Sequence, residues 1–139
     1  MKKENIKVIL DTNLLISFLI SKKRNFLQPL FIHKEIQLII SEELLAEFME
    51  VIKRPKFRNY FSEEQAIVLL NLLEERALFV ETINLGVDDC RDSKDNFLLS
   101  LAKQSNAYFL ITGDKDLLEL DPYQSTRITT ITHFQEIIK

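Results

Sequence analysis

Tryptophan is missing from this chain, and glycine, proline and cysteine are scarce, with 2 Gly, 3 Pro and 1 Cys among 139 residues. So few glycines and prolines exclude a collagen-like or linker-rich chain. The lone cysteine, Cys90, cannot form an internal disulfide, and a chain of this length buries a core without one. No stretch reaches the roughly 18 uninterrupted apolar residues of a membrane span. The opening MKKENIKVILDTNLLISFLI starts basic, but Lys7, Asp11 and Asn13 break its apolar region and no small-residue cleavage site follows. It is therefore read as part of the fold rather than as a signal peptide. The expectation is a single cytoplasmic domain over residues 1–139, with no membrane partner.

A basic surplus is lacking too. The net charge is −3, which on its face argues against a polyanionic partner. Yet SKKR (21–24) and KRPKFR (53–58) are locally basic, while acids recur at segment ends. Both basic clusters are either solvated surface or contacts to a polyanion.

What is present is alternation. IKVIL (6–10), IQLII (36–40), LFVE (78–81), AYFLIT (107–112) and RITTIT (127–132) read as strands, and such nearly continuous apolar runs suit a sheet covered on both faces. Helical patterns lie between them. Ser62 to Gln65 has capping-box spacing, Thr132 to Gln135 repeats it, and Ser41 opens a helix that Pro55 ends. The fold class predicted is α/β, a three-layer α/β/α sandwich with a mostly parallel sheet of about five strands. In such sheets ligands sit beyond the carboxyl ends of the strands.

That placement singles out certain acids, each of which also has an ordinary structural account. Asp11 follows the first strand and could simply cap a helix. Glu47 borders the apolar arc of Leu44, Leu45, Phe48, Val51 and Ile52, whereas Glu43 and Glu50 fall opposite; its stem could snorkel outward. Asp95 precedes Leu98, Leu99 and Ala102 on one face; a first-turn acid also suits the helix dipole, and Asp92 is a rival cap. Asp114 and Asp116 follow a strand in ITGDKDLLEL, as acids in turns do. Clustered carboxylates stay ionised only with a cation among them. Oxygen donors suit Mg²⁺ or Mn²⁺, and there is no Cys/His set for zinc; His33 and His133 are read as surface or packing residues.

VILDTNLLIS, SEELLAEF, CRDSKDNFLLSLA and YFLITGDKDLL, in this order and spacing, resemble the PIN-domain family of metal-dependent ribonucleases. Within it the chain is similar to VapC-like toxin components of bacterial toxin–antitoxin pairs, from about residue 6 to residue 132. The resemblance implies Asp11, Glu47, Asp95 and Asp114 as the acidic quartet that binds one or two Mg²⁺ or Mn²⁺ ions. Asp116 matches a further metal-binding acid, and Asn13 and Thr112 match small polar positions that order the quartet. It also implies an RNA substrate, a small antitoxin partner and a homodimer. Without a Ser-His-Asp or Cys-His set, water would be the nucleophile, activated by the metal. RNA would then meet Lys22, Lys23 and Arg24 near the site, and Lys53, Arg54, Lys56 and Arg58 further out. In EEQAIVLLNLLEERALF, six apolar residues from Ile67 to Leu73 exceed one face, which fits either a thoroughly buried helix or a dimer surface.

Two rivals stand beside this reading. A haloacid-dehalogenase-like phosphatase would also use an Asp after the first strand, with Ser41 and the GDKD segment fitting loosely. Its general acid should stand where this chain has Asn13, which cannot exchange a proton as a carboxylic acid does. A non-catalytic RNA- or protein-interaction domain on the same fold would need the acids to be structural.

Overall fold

The computed structural model describes residues 6–21, 30, 33–81 and 93–138. Strand β1 (Ile6–Leu10) and β2 (Ile36–Ile40) each enter half-buried and end on three buried residues. β3 (Leu78–Phe79), β4 (Phe109–Ile111) and β5 (Arg127–Thr129) complete a sheet in the order β3-β2-β1-β4-β5. Every strand pair is parallel, so the "mostly parallel" expectation becomes wholly parallel among the described residues. The central runs are apolar at their buried ends, with Lys7 and Gln37 confined to the half-buried starts of β1 and β2, as suits a sheet covered by helices on both faces.

The chain winds from β1 outward through β2 to β3, then crosses back to β4 on the other side of β1. Right-handed crossovers put the helices of the two directions on opposite faces. The winding therefore reverses between β1 and β4, and that reversal opens a crevice beyond their carboxyl ends.

The helices are α1 (Thr12–Ile20), α2 (Glu42–Ile52), α3 (Glu63–Arg76), α4 (Ser93–Ser105), α5 (Lys115–Leu118) and α6 (Ile131–Ile137), with a 3₁₀ turn at Pro55–Phe57. Ser41 caps α2 through Leu44 N–H, and Ser62 and Gln65 form the reciprocal capping box of α3. α2 buries Leu44, Phe48 and Ile52 while Glu43 and Glu50 face solvent, as its periodicity predicts.

Three expectations need correction. LFVE and RITTIT pair only over Leu78–Phe79 and Arg127–Thr129, and AYFLIT only over Phe109–Ile111. The final helix is capped by Thr130, not Thr132: the Thr130 hydroxyl accepts from His133 N–H at 3.2 Å. Starting there seats Phe134, fully buried, edge-on against Phe109 with centroids 5.0 Å apart. Nor is α3 buried all round. Leu69 and Leu73 face the core, but Ile67 and Val68 are 48% and 68% exposed. The segments holding Lys22, Lys23, Arg24, Cys90 and Asp92 lie outside the described residues. No described helix is long and apolar enough to cross a membrane.

Candidate active site

Register sets the first contact. Leu10 lies opposite Ile111, so Asp11 and Thr112 leave the sheet side by side, and Asp11 N–H donates to the Ile111 carbonyl at 3.0 Å. Thr112, with no exposed surface, then ties the segments that follow β1 and β4 together. Its hydroxyl donates to Asp11 Oδ2 at 2.7 Å and accepts from Asp114 N–H at 3.1 Å. Asp11 Oδ1 accepts from Asn13 N–H at 3.1 Å, and Asp114 Oδ1 accepts from Asp116 N–H at 2.9 Å. Asp11 and Asp114 are thus the N-caps of α1 and α5. A carboxylate at a helix start is stabilised by the unpaired amides and by the dipole. At only 7% exposure, Asp11 thus has both carboxylate oxygens hydrogen-bonded.

One cleft of about 310 Å³ is lined by Asp11, Glu47, Asp95 and Asp114 together. They arrive from four places: the end of β1, the second turn of α2, the first turn of α4 and the end of β4. Asp95 is buried and Glu47 half-buried, in keeping with their positions beside the apolar faces of their helices. Asn13 lines the same cleft, while Thr112 acts from beneath it and Asp116 lies outside the lining. The four acids share the cleft without closing up: among the described residues, no three acidic, histidine or cysteine side chains converge tightly enough to hold an ion between them. Like charges in a partly desolvated space keep apart.

Two cations join the acids. Arg54 and Lys56, expected further out, line the cleft itself. Arg54 meets Glu50 at 3.8 Å in a solvent-exposed pair, which makes a weak tether. Lys53 is exposed and outside the lining. Arg58 donates to the Ile52 carbonyl and lies 5.7 Å from the Phe61 ring, so it braces the turn instead. Both histidines are exposed and away from this cleft.

Sequence reasoning missed Phe57 and Phe97, whose partly buried rings also line the cleft. Their signal was available: Phe57 interrupts the basic run KRPKFR, and Phe97 stands two places after Asp95.

The donor set is chemically coherent for a hard divalent ion, since all four acids offer carboxylate oxygens and no soft ligand lines the cleft among the described residues. A fully buried Ser41, whose hydroxyl caps α2, is spent on structure and does not line the cleft.

A PIN-domain family model matches residues 7–116. The uncharacterized protein MJ1680 of Methanocaldococcus jannaschii is 33% identical over 122 residues, covering 86% of this chain and 78% of its own length. Among solved structures, VapBC2 from Rickettsia felis, bound to a DNA fragment from its promoter, matches with a TM-score of 0.56 at 20% identity, over 88% of this chain and 96% of that one. The PIN-domain endonuclease Utp24 overlaps 80% of this chain and 73% of its own, with a TM-score of 0.45 at 20% identity. With its family model spanning β1 to α5 and its sheet matching the VapBC2 fold, the chain belongs to the PIN-domain family, a nuclease fold.

Proposed function

We propose that this chain is a ribonuclease dependent on Mg²⁺ or Mn²⁺, hydrolysing RNA phosphodiester bonds with water as the nucleophile. The observation that carries the reading is the shared cleft, where Asp11, Glu47, Asp95 and Asp114 meet Arg54 and Lys56. The four acids would hold one or two ions, with Asp116 adjoining Asp114. When bound, the ion supplies Lewis acidity that makes water a better nucleophile and offsets charge on the phosphate.

The chain's own residues do the rest. Asn13 N–H and the Thr112 hydroxyl hold both oxygens of Asp11, fixing its orientation before substrate arrives. Arg54 and Lys56 draw the phosphate toward acids that would otherwise repel it. Among the described residues, no serine, cysteine or histidine lines the cleft to act as nucleophile or leaving-group acid. In-line attack of water with departure of the 3′ oxygen gives a 5′-phosphate and a 3′-hydroxyl.

The biological side of the proposal is a cytoplasmic toxin, one domain over residues 1–139, acting as a homodimer and restrained by a small antitoxin. Exposed Ile67 and Val68 on α3 support the dimer, and the likeness to VapBC2 supports the partner. The phosphatase reading loses ground because Ser41 is buried and already bonded. The interaction-domain reading keeps one observation: Asp11 and Asp114 cap helices. Capping gives no account of Glu47, which lies within α2 and still lines the cleft.

The test is cleavage of a structured RNA pool by purified protein with Mg²⁺ or Mn²⁺, beside an EDTA control and Asp95→Asn. Cutting by the wild type with metal alone, leaving 5′-phosphate ends, is expected. Recovery of 2′,3′-cyclic phosphate ends, or equal cutting by Asp95→Asn, refutes the mechanism.

A further inference from the structure

Phe57 sits on the 3₁₀ turn that follows α2, directly after the stretch bearing Arg54 and Lys56. Its ring stacks on Phe61 with centroids 5.6 Å apart and planes 20° from parallel, and Phe61 is itself 3% exposed in the core. The Phe57 ring is therefore backed by a rigid wall while it lines the same cleft as the four acids. Lys56 Nζ lies 5.1 Å from the ring centroid, a cation resting on an aromatic face. Phe97 on α4 brings a second partly exposed ring to that cleft.

A phenyl ring does nothing for ion binding or for water activation, and leaving it wet among carboxylates is unfavourable. A planar apolar face next to two phosphate-seeking cations is what a nucleobase needs. We infer that Phe57, backed by Phe61, is the stacking surface for one unpaired base adjoining the cut bond, and that Lys56 leaves the ring for the neighbouring phosphate when RNA binds. The inference rests on the ribonuclease reading and sharpens it to a substrate class. Bases inside a duplex have both faces covered by their neighbours, so only a single strand, loop or bulge can use this surface.

The test uses the wild-type protein with Ca²⁺ and a short single-stranded RNA carrying several 2-aminopurine bases, whose fluorescence falls on stacking. Binding is expected to quench the signal. Phe57→Leu should abolish the quench and weaken binding by about tenfold or more, with a melting transition that shows the protein still folded at the assay temperature. Phe57→Tyr should restore both. The same RNA annealed to its complement should bind at least about tenfold more weakly than the single strand. Absence of quenching by wild type, equal quenching by Phe57→Leu, or equal binding of the duplex overturns the inference. Should Phe57→Leu lose its fold, Phe57→Tyr and Phe57→Trp decide: both must keep the quench. Cleavage with Mg²⁺ or Mn²⁺, read separately, distinguishes the two levels. Quenching without cutting leaves the stacking surface standing and removes the nuclease; cutting without quenching does the reverse.

Discussion

Replacing Thr112 with valine removes one oxygen and keeps the side chain's shape. Two bonds are lost with it: the 2.7 Å donation to Asp11 Oδ2 and the 3.1 Å acceptance from Asp114 N–H. The first ends on a charged acceptor at a fully buried site, worth about 1.5–3 kcal/mol. The second is half-buried, so water can replace part of it, leaving about 0.5–1 kcal/mol. The expected destabilisation is therefore about 2–4 kcal/mol, which lowers the melting temperature of a chain this size by roughly ten degrees. With no tryptophan in the sequence, urea unfolding is best followed by far-UV circular dichroism. On the proposed metal reading, the same variant should weaken stabilisation by added Mn²⁺, because Asp11 keeps only its Asn13 bond. A loss below about 0.5 kcal/mol, with Mn²⁺ stabilisation intact, would show that Thr112 does not organise the site.

Thr12 makes a contrast one residue beyond Asp11: its hydroxyl is buried with no hydrogen-bond partner, so Thr12→Val should be neutral or raise stability by up to about 1 kcal/mol in the same urea titration. Asp11→Asn keeps the cap bond from Asn13 N–H but gives the Thr112 hydroxyl a neutral amide in place of a carboxylate oxygen, so metal-free stability should fall by about 1–2 kcal/mol while stabilisation by added Mn²⁺ disappears; undiminished Mn²⁺ stabilisation contradicts this. Arg54→Ala and Lys56→Ala should each reduce the slope of log affinity for single-stranded RNA against log salt by about 0.7, measured by fluorescence titration, whereas Lys53→Ala should leave it unchanged. Val68→Lys on α3 should shift sedimentation toward the monomer without lowering the melting temperature; a dimer that persists excludes this face as the interface.

The fold was legible because the central strands are nearly continuous apolar runs, interrupted only by Lys7 and Gln37 at their half-buried starts, a pattern that suits a parallel sheet covered on both faces. The edges were overread for the reverse reason. LFVE and RITTIT have strand-like residues, but pairing length is set by the neighbour, and Thr130 is withdrawn to cap α6. Asp11 and Asp114 announced themselves as charges at strand ends, and Glu47 and Asp95 as acids on the wrong arc of a helix. Distance from the cleft was harder to read. Arg54 and Lys56 come within it because a 3₁₀ turn at Pro55 folds the basic segment back, which linear spacing does not encode. The tight bond between Thr112 and Asp11 depends on β1–β4 register, and that exists only in the assembled sheet.

The Thr112–Asp11 bond joins positions 101 residues apart. On a ribosome, Asp11 emerges early, yet its orienting partner and Asp114 come from the last quarter of the sequence. Until β4 has left the exit tunnel and docked beside β1, the cleft lacks one acid and the fixed orientation of another. Closing so long a loop carries an entropic cost that the growing chain cannot recover piecemeal. On the ribonuclease reading proposed above, a partly synthesised chain would be inert toward the RNA that surrounds it, including the message being read. Competence arrives only with the finished sheet, which ties the onset of any cutting to the completion of synthesis.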